Sequence, residues 1–354
     1  MKPLKLFNAL FVALLFSILL SMLTGGSPVM FFAVMLMLSF IPMPKGVLRM
    51  GLNVEIWKND IIGNLYKDNA FALRSFNADQ FVLAGQVVHS PIAGSNAQVK
   101  KNLTSFPQVA VNRADSFHTY AIDTFYSLPR QIQKIEEYEL SYDKRQSVMG
   151  DDQAALREAA MENLLLKWAP GAPNVVETTG SATAEDLIDT TATGSRKVFT
   201  KAEFKKIAKK VANTNIAGRK TALLTANHYH QFFESLSDAE KTNFNNVANL
   251  STGVIGQYMG WDVIMRSSVL RYRKVAGIWT AIDTLAEDFA AGTEDSAASL
   301  FWVDNCVERA LGEVNVFEDN SNPLYYGDVF SQMLRLGGRK RRDAGVHAVV
   351  EAIV

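Results

Sequence analysis

The chain changes character near Met50, and that break limits its architecture more than any other feature. Residues 1–50 carry four charges, all basic (Lys2, Lys5, Lys45 and Arg49), and the first acid is Glu55. Leu6 to Leu23 is an 18-residue run interrupted only by Asn8, Ser17 and Ser21. A turn follows, Thr24-Gly25-Gly26-Ser27-Pro28, and then a second apolar run of 15 residues from Val29 to Met43. The first run just reaches the length that crosses a hydrocarbon core, and the second falls short of it. Lys2, Lys5 and the Leu-rich stretch suit a signal peptide, but no clear small-x-small cleavage pattern follows them. Residues 1–49 therefore fit several fates: insertion in a membrane, export, removal as a leader ahead of a start at Met50, or burial as a helical hairpin.

Beyond that leader the texture is globular. The 354 residues hold 36 basic and 36 acidic side chains, and all the acids but only 32 of the bases lie beyond residue 50, a formal net charge of about −4. That balance does not suggest a basic groove for a duplex, although it leaves room for a local patch. The lone cysteine, Cys306, cannot close an intrachain disulfide. At 48% hydrophobic and 20% charged residues, wholesale disorder is excluded.

Periodicity then places the elements. Val54, Ile56, Trp57, Ile61, Ile62 and Leu65 fit one face of a short helix. Phe81 to Ile92 and Phe106 to Leu128 read as extended, joined by a polar connection from Gly94 to Thr104, which predicts a long β-hairpin. A hairpin standing away from its domain needs a partner to cover it. Asp151 to Ala169 predicts a helix of roughly 28 Å, with Ala154, Ala155, Leu156, Ala159, Ala160, Leu164, Leu165 and Trp168 on its apolar side and Pro170-Gly171-Ala172-Pro173 as its stop. Glu177 to Ser195 reads as a surface loop. Thr200 and Glu203 form a capping-box signature for a helix to about Ala212, whose Lys201, Lys205, Lys206, Lys209 and Lys210 suit a solvated face or a polyanion. Thr221 to Thr225 is a buried strand, followed by a helix with His230, Phe232, Phe233 and Leu236. Val254 to Ser267 and Gly345 to Val354 are again extended. Strands and helices mix without regular βαβ alternation, so the fold class is α+β.

The residues offer little chemistry. His228 and His230, if on a strand, would share one face as half of a metal site, but a catalytic zinc needs three protein ligands and none completes the set. His89, His118 and His347 form no cluster with them in sequence. No phosphate loop, nucleophile elbow or zincin helix is present. Gly253-Val254-Ile255-Gly256 and Gly337-Gly338 suit turns or close backbone contacts. Cys306 sits in an apolar segment that suits an inert thiol. The carboxylate pairs Glu136/Glu137 and Asp151/Asp152 are sequence neighbours, which would not naturally face one substrate. The densest basic cluster is Arg335, Arg339, Lys340, Arg341 and Arg342; it suits DNA phosphates, a neighbouring subunit's acids or a solvated turn.

Several stretches resemble the major capsid proteins of tailed phages, in particular crAss-like and related phages or prophages of gut Bacteroidota, which have the Hong Kong 97-like coat fold. They are GLNVEIW (51–57), FVLAGQVVHSPIAG (81–94), RAD with its β stretch (113–126), ELSYDKRQSVMGDDQAALREAAMENLLLKWAP (139–170), RKVFTKAEFKKIAKKVANTNI (196–216), KTALLTANHYHQFF (220–233), GQYMGWDVIMRSSV (256–269) and NPLYYGDVFSQMLRLGGRKRRDAGVHAVV (322–350). The resemblance implies an N-terminal arm (50–80), an extended hairpin loop (81–130), a peripheral domain (131–195) with spine helix 151–169, an axial domain (196–310) and a return to the peripheral domain (311–354). It further implies pentamers and hexamers of the chain itself, packaged double-stranded DNA, and portal and scaffolding partners. The implied place is the virion capsid, assembled in the host bacterial cytoplasm, with no cofactor, metal or catalysis. Residues 1–49 depart from the pattern, since family prosegments are usually charged; membrane contact through them stays open. An encapsulin-type compartment, or a membrane-anchored binding protein using 1–49, are the alternatives.

Overall fold

The computed structural model describes residues 61, 64–65, 69–83, 87–92, 101–102, 104, 106, 115–133, 144–184, 193–246, 248, 253–287 and 295–354. The leader assigned to 1–49, most of the helix expected from Val54 and much of the connection expected from Gly94 to Thr104 lie outside them. Ile61, Asn64 and Leu65 are helical, with Ile61 and Leu65 buried.

A 3-10 turn (Ala70–Leu73) leads into β1 (Phe76–Asn77), β2 (Val82–Leu83), β3 (Val87–Ile92), β4 (Ser116–Ala121), β5 (Asp123–Tyr126) and β6 (Arg130–Gln133). Then come α1 (Lys144–Trp168), β7 (Val175–Glu177), β8 (Ala182–Thr183), β9 (Arg196–Lys197), α2 (Lys201–Asn213), β10 (Lys220–Thr225), α3 (Ala226–Glu234) and α4 (Asp238–Asn245). The remaining strands are β11 (Gly256–Tyr258), β12 (Trp261–Arg266), β13 (Leu270–Val275), β14 (Ile278–Ala281), β15 (Asp295–Val303), β16 (Val307–Asn322), β17 (Gly327–Lys340) and β18 (Val346–Val350).

The long helix begins at Lys144 rather than at Asp151, because Gly150 does not stop it: nothing lies within 4 Å of where its Cβ would be, and a glycine inside a helix costs only about 1 kcal/mol. Pro170, which has no N–H to donate, follows its end. Leu156, Ala160, Met161, Leu164, Leu165 and Trp168 are buried and the helix packs on β17, while Ala154 and Ala155, expected on the same side, face solvent. The helix rests on a five-stranded sheet ordered β1-β16-β17-β5, with β6 pairing a further part of β17. Gly338 lies where helix and sheet touch, while Gly337 faces Ile122 and Tyr120. A Cβ on Gly338 would collide with Leu164 Cδ1 and would stand 2.9 Å from the Glu308 carbonyl.

The eight-stranded sheet runs β11-β12-β10-β15-β13-β14, with β18 on the opposite edge of β15 and β7 on β18. All nine residues of β15 are buried. One of its edges is shared by β10 and β13, and the other is taken by β18. β10 and β12 are parallel, as their connection through α3 and α4 allows. α2 opens with the expected capping box of Thr200 and Glu203. Its Phe204 packs 5.1 Å from Phe232 of α3 and 5.2 Å from Phe301 of β15. Burying each such ring contributes about 1.5–3 kcal/mol. Leu236, expected on α3, lies just beyond its end and is buried. The segment read as a surface loop from Glu177 to Ser195 holds β8, which pairs with β9 just beyond it; residues 185–192 lie outside the described part.

The segment from Asn69 to Asn77 bridges the two sheets. Phe71 meets Trp168 edge-on at 6.4 Å, and Trp168 lies 5.5 Å from Trp302. Trp302 Nε1 donates to the Arg74 carbonyl at 2.6 Å, and Arg309 Nε donates to that of Ala72 at 2.9 Å. The Arg74 guanidinium is buried beside Asp262, which Arg219 also approaches at 3.0 Å.

Candidate assembly surfaces

β2, β3 and β4 form a separate three-stranded antiparallel ribbon, in register from Val87↔Ala121 to Ile92↔Ser116. Its root is buried: Val88, Ser90 and Ile122 lie within the protein. Farther out, Phe117, His118 and Thr119 are exposed in succession, and since neighbouring strand residues point to opposite faces, neither face of β4 is covered there. Phe117 is 72% exposed. A two-sided hairpin of this kind is marginal in water until something packs on it.

A second apolar surface caps the β16–β17 hairpin. Leu324 and Tyr326 are 81% and 83% exposed, and Tyr325 is half-exposed between them. The turn that carries them is well braced. Leu324 N donates to Asn322 Oδ1 at 2.9 Å, Asn322 Nδ2 donates to Asp319 Oδ2 at 2.7 Å, and Gln131 Nε2 reaches the Tyr325 carbonyl at 2.8 Å. Rigid, outward aromatic groups of this type are the usual anchors of protein interfaces.

The five basic residues singled out in the sequence have different surroundings. Arg339 and Arg341 turn inward to Glu308, which is fully buried at the start of β16. Lys340 pairs with Asp343 at 3.2 Å, and Arg335 is half-buried in β17. Only Arg342 among the five is fully on the surface. On α2, Lys201 is tied to Glu240 at 3.0 Å, whereas Lys205, Lys206 and Lys209 are exposed. Glu308 itself escaped the sequence reading. In sequence it is one of several polar residues, with Asp304, Asn305 and Arg309, around Cys306 and Val307, and nothing local marks it out.

His228 and His230 lie on α3, not on a strand; two positions along a helix turn them to different faces, with His228 buried and His230 exposed. His228 Nδ1 lies 2.6 Å from Ser299 Oγ, and its Nε2 lies 3.3 Å from Glu351 Oε1. Serine, histidine and carboxylate in a row have the order of a hydrolase relay. All three are sealed in the core, however, and Ser299 Oγ already accepts the Thr225 N–H. The arrangement ties α3 to β15 and to the segment after β18. His347 is buried as well, and burial, followed by the charge of Lys210, lowers its pKa. Burial raises the pKa of the Cys306 thiol, which packs against Gly345. Among the described residues no group of three or more His, Cys, Asp or Glu side chains is arranged to hold a metal, and no helix among them is long and apolar enough to cross a membrane.

Solved structures share this architecture. The chain matches the capsid of cyanophage P-SCSP1u at a TM-score of 0.52 and 14% identity, over 79% of this chain and 87% of that one. The capsid of Ralstonia phage GP4 matches at 0.51 and 12%, over 79% and 87%. An acid-stable capsid of Helicobacter pylori bacteriophage KHP30 matches at 0.51 and 12%, over 78% and 87%. The chain therefore has the Hong Kong 97-like capsid fold, an α+β fold with an extended hairpin loop and a long spine helix. No family model matches the sequence, and no curated protein matches it.

Proposed function

We propose that this chain is the major capsid protein of a tailed bacteriophage, a structural subunit that tiles with copies of itself into an icosahedral head around double-stranded DNA. The observation that carries the reading is a ribbon whose strand β4 is uncovered on both faces beyond its buried root, in a fold shared with phage capsids over 79% of the chain. A subunit whose work lies in its interfaces has no need of a catalytic cleft, and the sealed Ser299, His228 and Glu351 row agrees with that.

In this reading residues 50–80 are the arm and 81–130 the extended loop. Residues 131–195 with the spine helix make the peripheral domain, 196–310 the axial domain and 311–354 the return to the peripheral domain; α1 packing on β17 and the sharing of one sheet by β10 to β15 support this, while β18, within the return, pairs with β15. Pentamers and hexamers of the chain, with portal and scaffolding proteins, are the partners, and the virion capsid, built in the host bacterial cytoplasm, is the place. Arg342, Lys205, Lys206 and Lys209 are exposed among the described residues and in this reading meet packaged DNA. The motifs in residues 51–350 favour a crAss-like or related phage of Bacteroidota. Neighbouring genes for a portal and a terminase would set it apart from a cargo compartment of the same fold.

Negative-stain microscopy of the purified full-length chain tests the proposal. Closed shells, or pentameric and hexameric rings, are expected. A monodisperse monomer at high concentration overturns it.

A further inference from the structure

Three segments far apart in sequence converge on one buried carboxylate. Glu308 Oε1 lies 2.9 Å from Arg339 Nε, and Oε2 lies 3.3 Å from Arg341 Nε. Ser90 Oγ, in ribbon strand β3, donates to Oε2 at 3.0 Å. Each arginine then covers an aromatic ring of a different segment. The Arg339 guanidinium stands 5.8 Å from the ring centre of Tyr120 in β4, and that of Arg341 stands 4.1 Å from the ring centre of Phe76 in β1. On the backbone, β1 runs parallel to β16 with Phe76 opposite Glu308. Ribbon, arm and long hairpin thus share one charged knot.

The apolar contacts at the same place are thin. The buried patch is Ala78, Val88, Ile122 and Ala310, flanked by the partly buried Phe76, Phe81, Val82 and Tyr120. Two alanines bury little area, so shape packing alone specifies the ribbon's direction weakly. The knot is electrostatic: two guanidinium groups, with side chains only 18% and 22% exposed, lie against the same buried carboxylate. Without that anion they would be two like charges side by side with little water.

We propose that Glu308 is a positioning residue: by gripping Arg339 and Arg341 it fixes the root of the β2-β3-β4 ribbon on the body and so presets the ribbon's reach to a second copy of the chain. The reach to a second copy rests on the shell reading above; the fixing of the root does not.

Amide hydrogen exchange on the unassembled full-length chain tests the fixing. In Glu308→Gln, residues 87–92 and 116–121 should exchange about tenfold faster or more, while β10 and β15 keep their wild-type rates. Adding Arg341→Met to that variant removes one unpaired cation and should restore part of the lost protection, which general loosening of the fold would not allow. Should Glu308→Gln fail to fold, Arg341→Met alone carries the test, with β1 and the ribbon root loosening together. Wild-type exchange in the ribbon root, or equal acceleration throughout both sheets, overturns the proposal. Particle yield is scored separately: shells absent from the wild type count against the shell reading, and shells lost only in Glu308→Gln support the preset reach.

Discussion

Glu203 serves two segments at once. Its carboxylate accepts the Thr200 N–H at 2.9 Å to cap α2 and the Thr179 N–H at 2.9 Å to hold the chain that follows β7. Burial pushes its pKa up, but the hydrogen bonds from Thr179 and Thr200 outweigh that and hold it below the usual carboxylate range. A carboxyl with a lowered folded-state pKa contributes stability above its unfolded value, near 4.5, and loses it as pH falls through the folded value. Glu203→Gln is therefore expected to cost about 1–2 kcal/mol at pH 7. It should also flatten the acid limb of a urea-denaturation series run from pH 7 down to about pH 3. Gly338 tests packing where Glu203 tests charge. Gly338→Val drives side-chain atoms into Leu164 and toward the Glu308 carbonyl, and should lower the unfolding free energy by about 3 kcal/mol in the same assay.

The β16–β17 turn separates folding from association. Leu324 and Tyr326 already face water in the subunit, so Leu324→Ser with Tyr326→Ser should leave its melting temperature within about 2 °C of wild type. The same double variant should raise the concentration needed for association about tenfold or more in sedimentation velocity, an interface effect with no folding cost. How such elements show in a sequence depends on the range of the forces that form them. The Thr200–Glu203 box, the apolar stripe of α1 and the buried run Thr221 to Thr225 are local patterns, and the structure contains each of them. The helix start at Lys144 is not legible in that stripe, because the apolar pattern begins only after Asp151. Glu308 was hidden for a different reason. Its partners Ser90, Arg339 and Arg341 come together only through strand pairing, and a cluster of arginines reads as surface until the acid beneath it is located. The helical placement of His228 likewise followed from the Thr225 cap, whose hydroxyl accepts the His228 N–H.

Across the molecule, strands far apart in sequence are paired: β1 at Phe76 with β16 at Glu308, and β5 at Tyr126 with β17 at Met333. β15 pairs with β10 near residue 220, with β13 near 270 and with β18 near 350. The tie through Phe71, Trp168 and Trp302 spans further than these β15 pairings. Long-range pairings of this kind close large loops before any contact rewards them, so such chains fold slowly for their size. On the proposed shell reading, a coat made from them has a production line with its bottleneck upstream: finished tiles are released at the pace of folding, and the free pool stays sparse. A sparse pool starts few new particles and lets those already begun run to completion. Stopped-flow refolding from urea, read by tryptophan fluorescence, should thus be slower than the rise in light scattering when pre-folded subunits are mixed at the concentration where shells form.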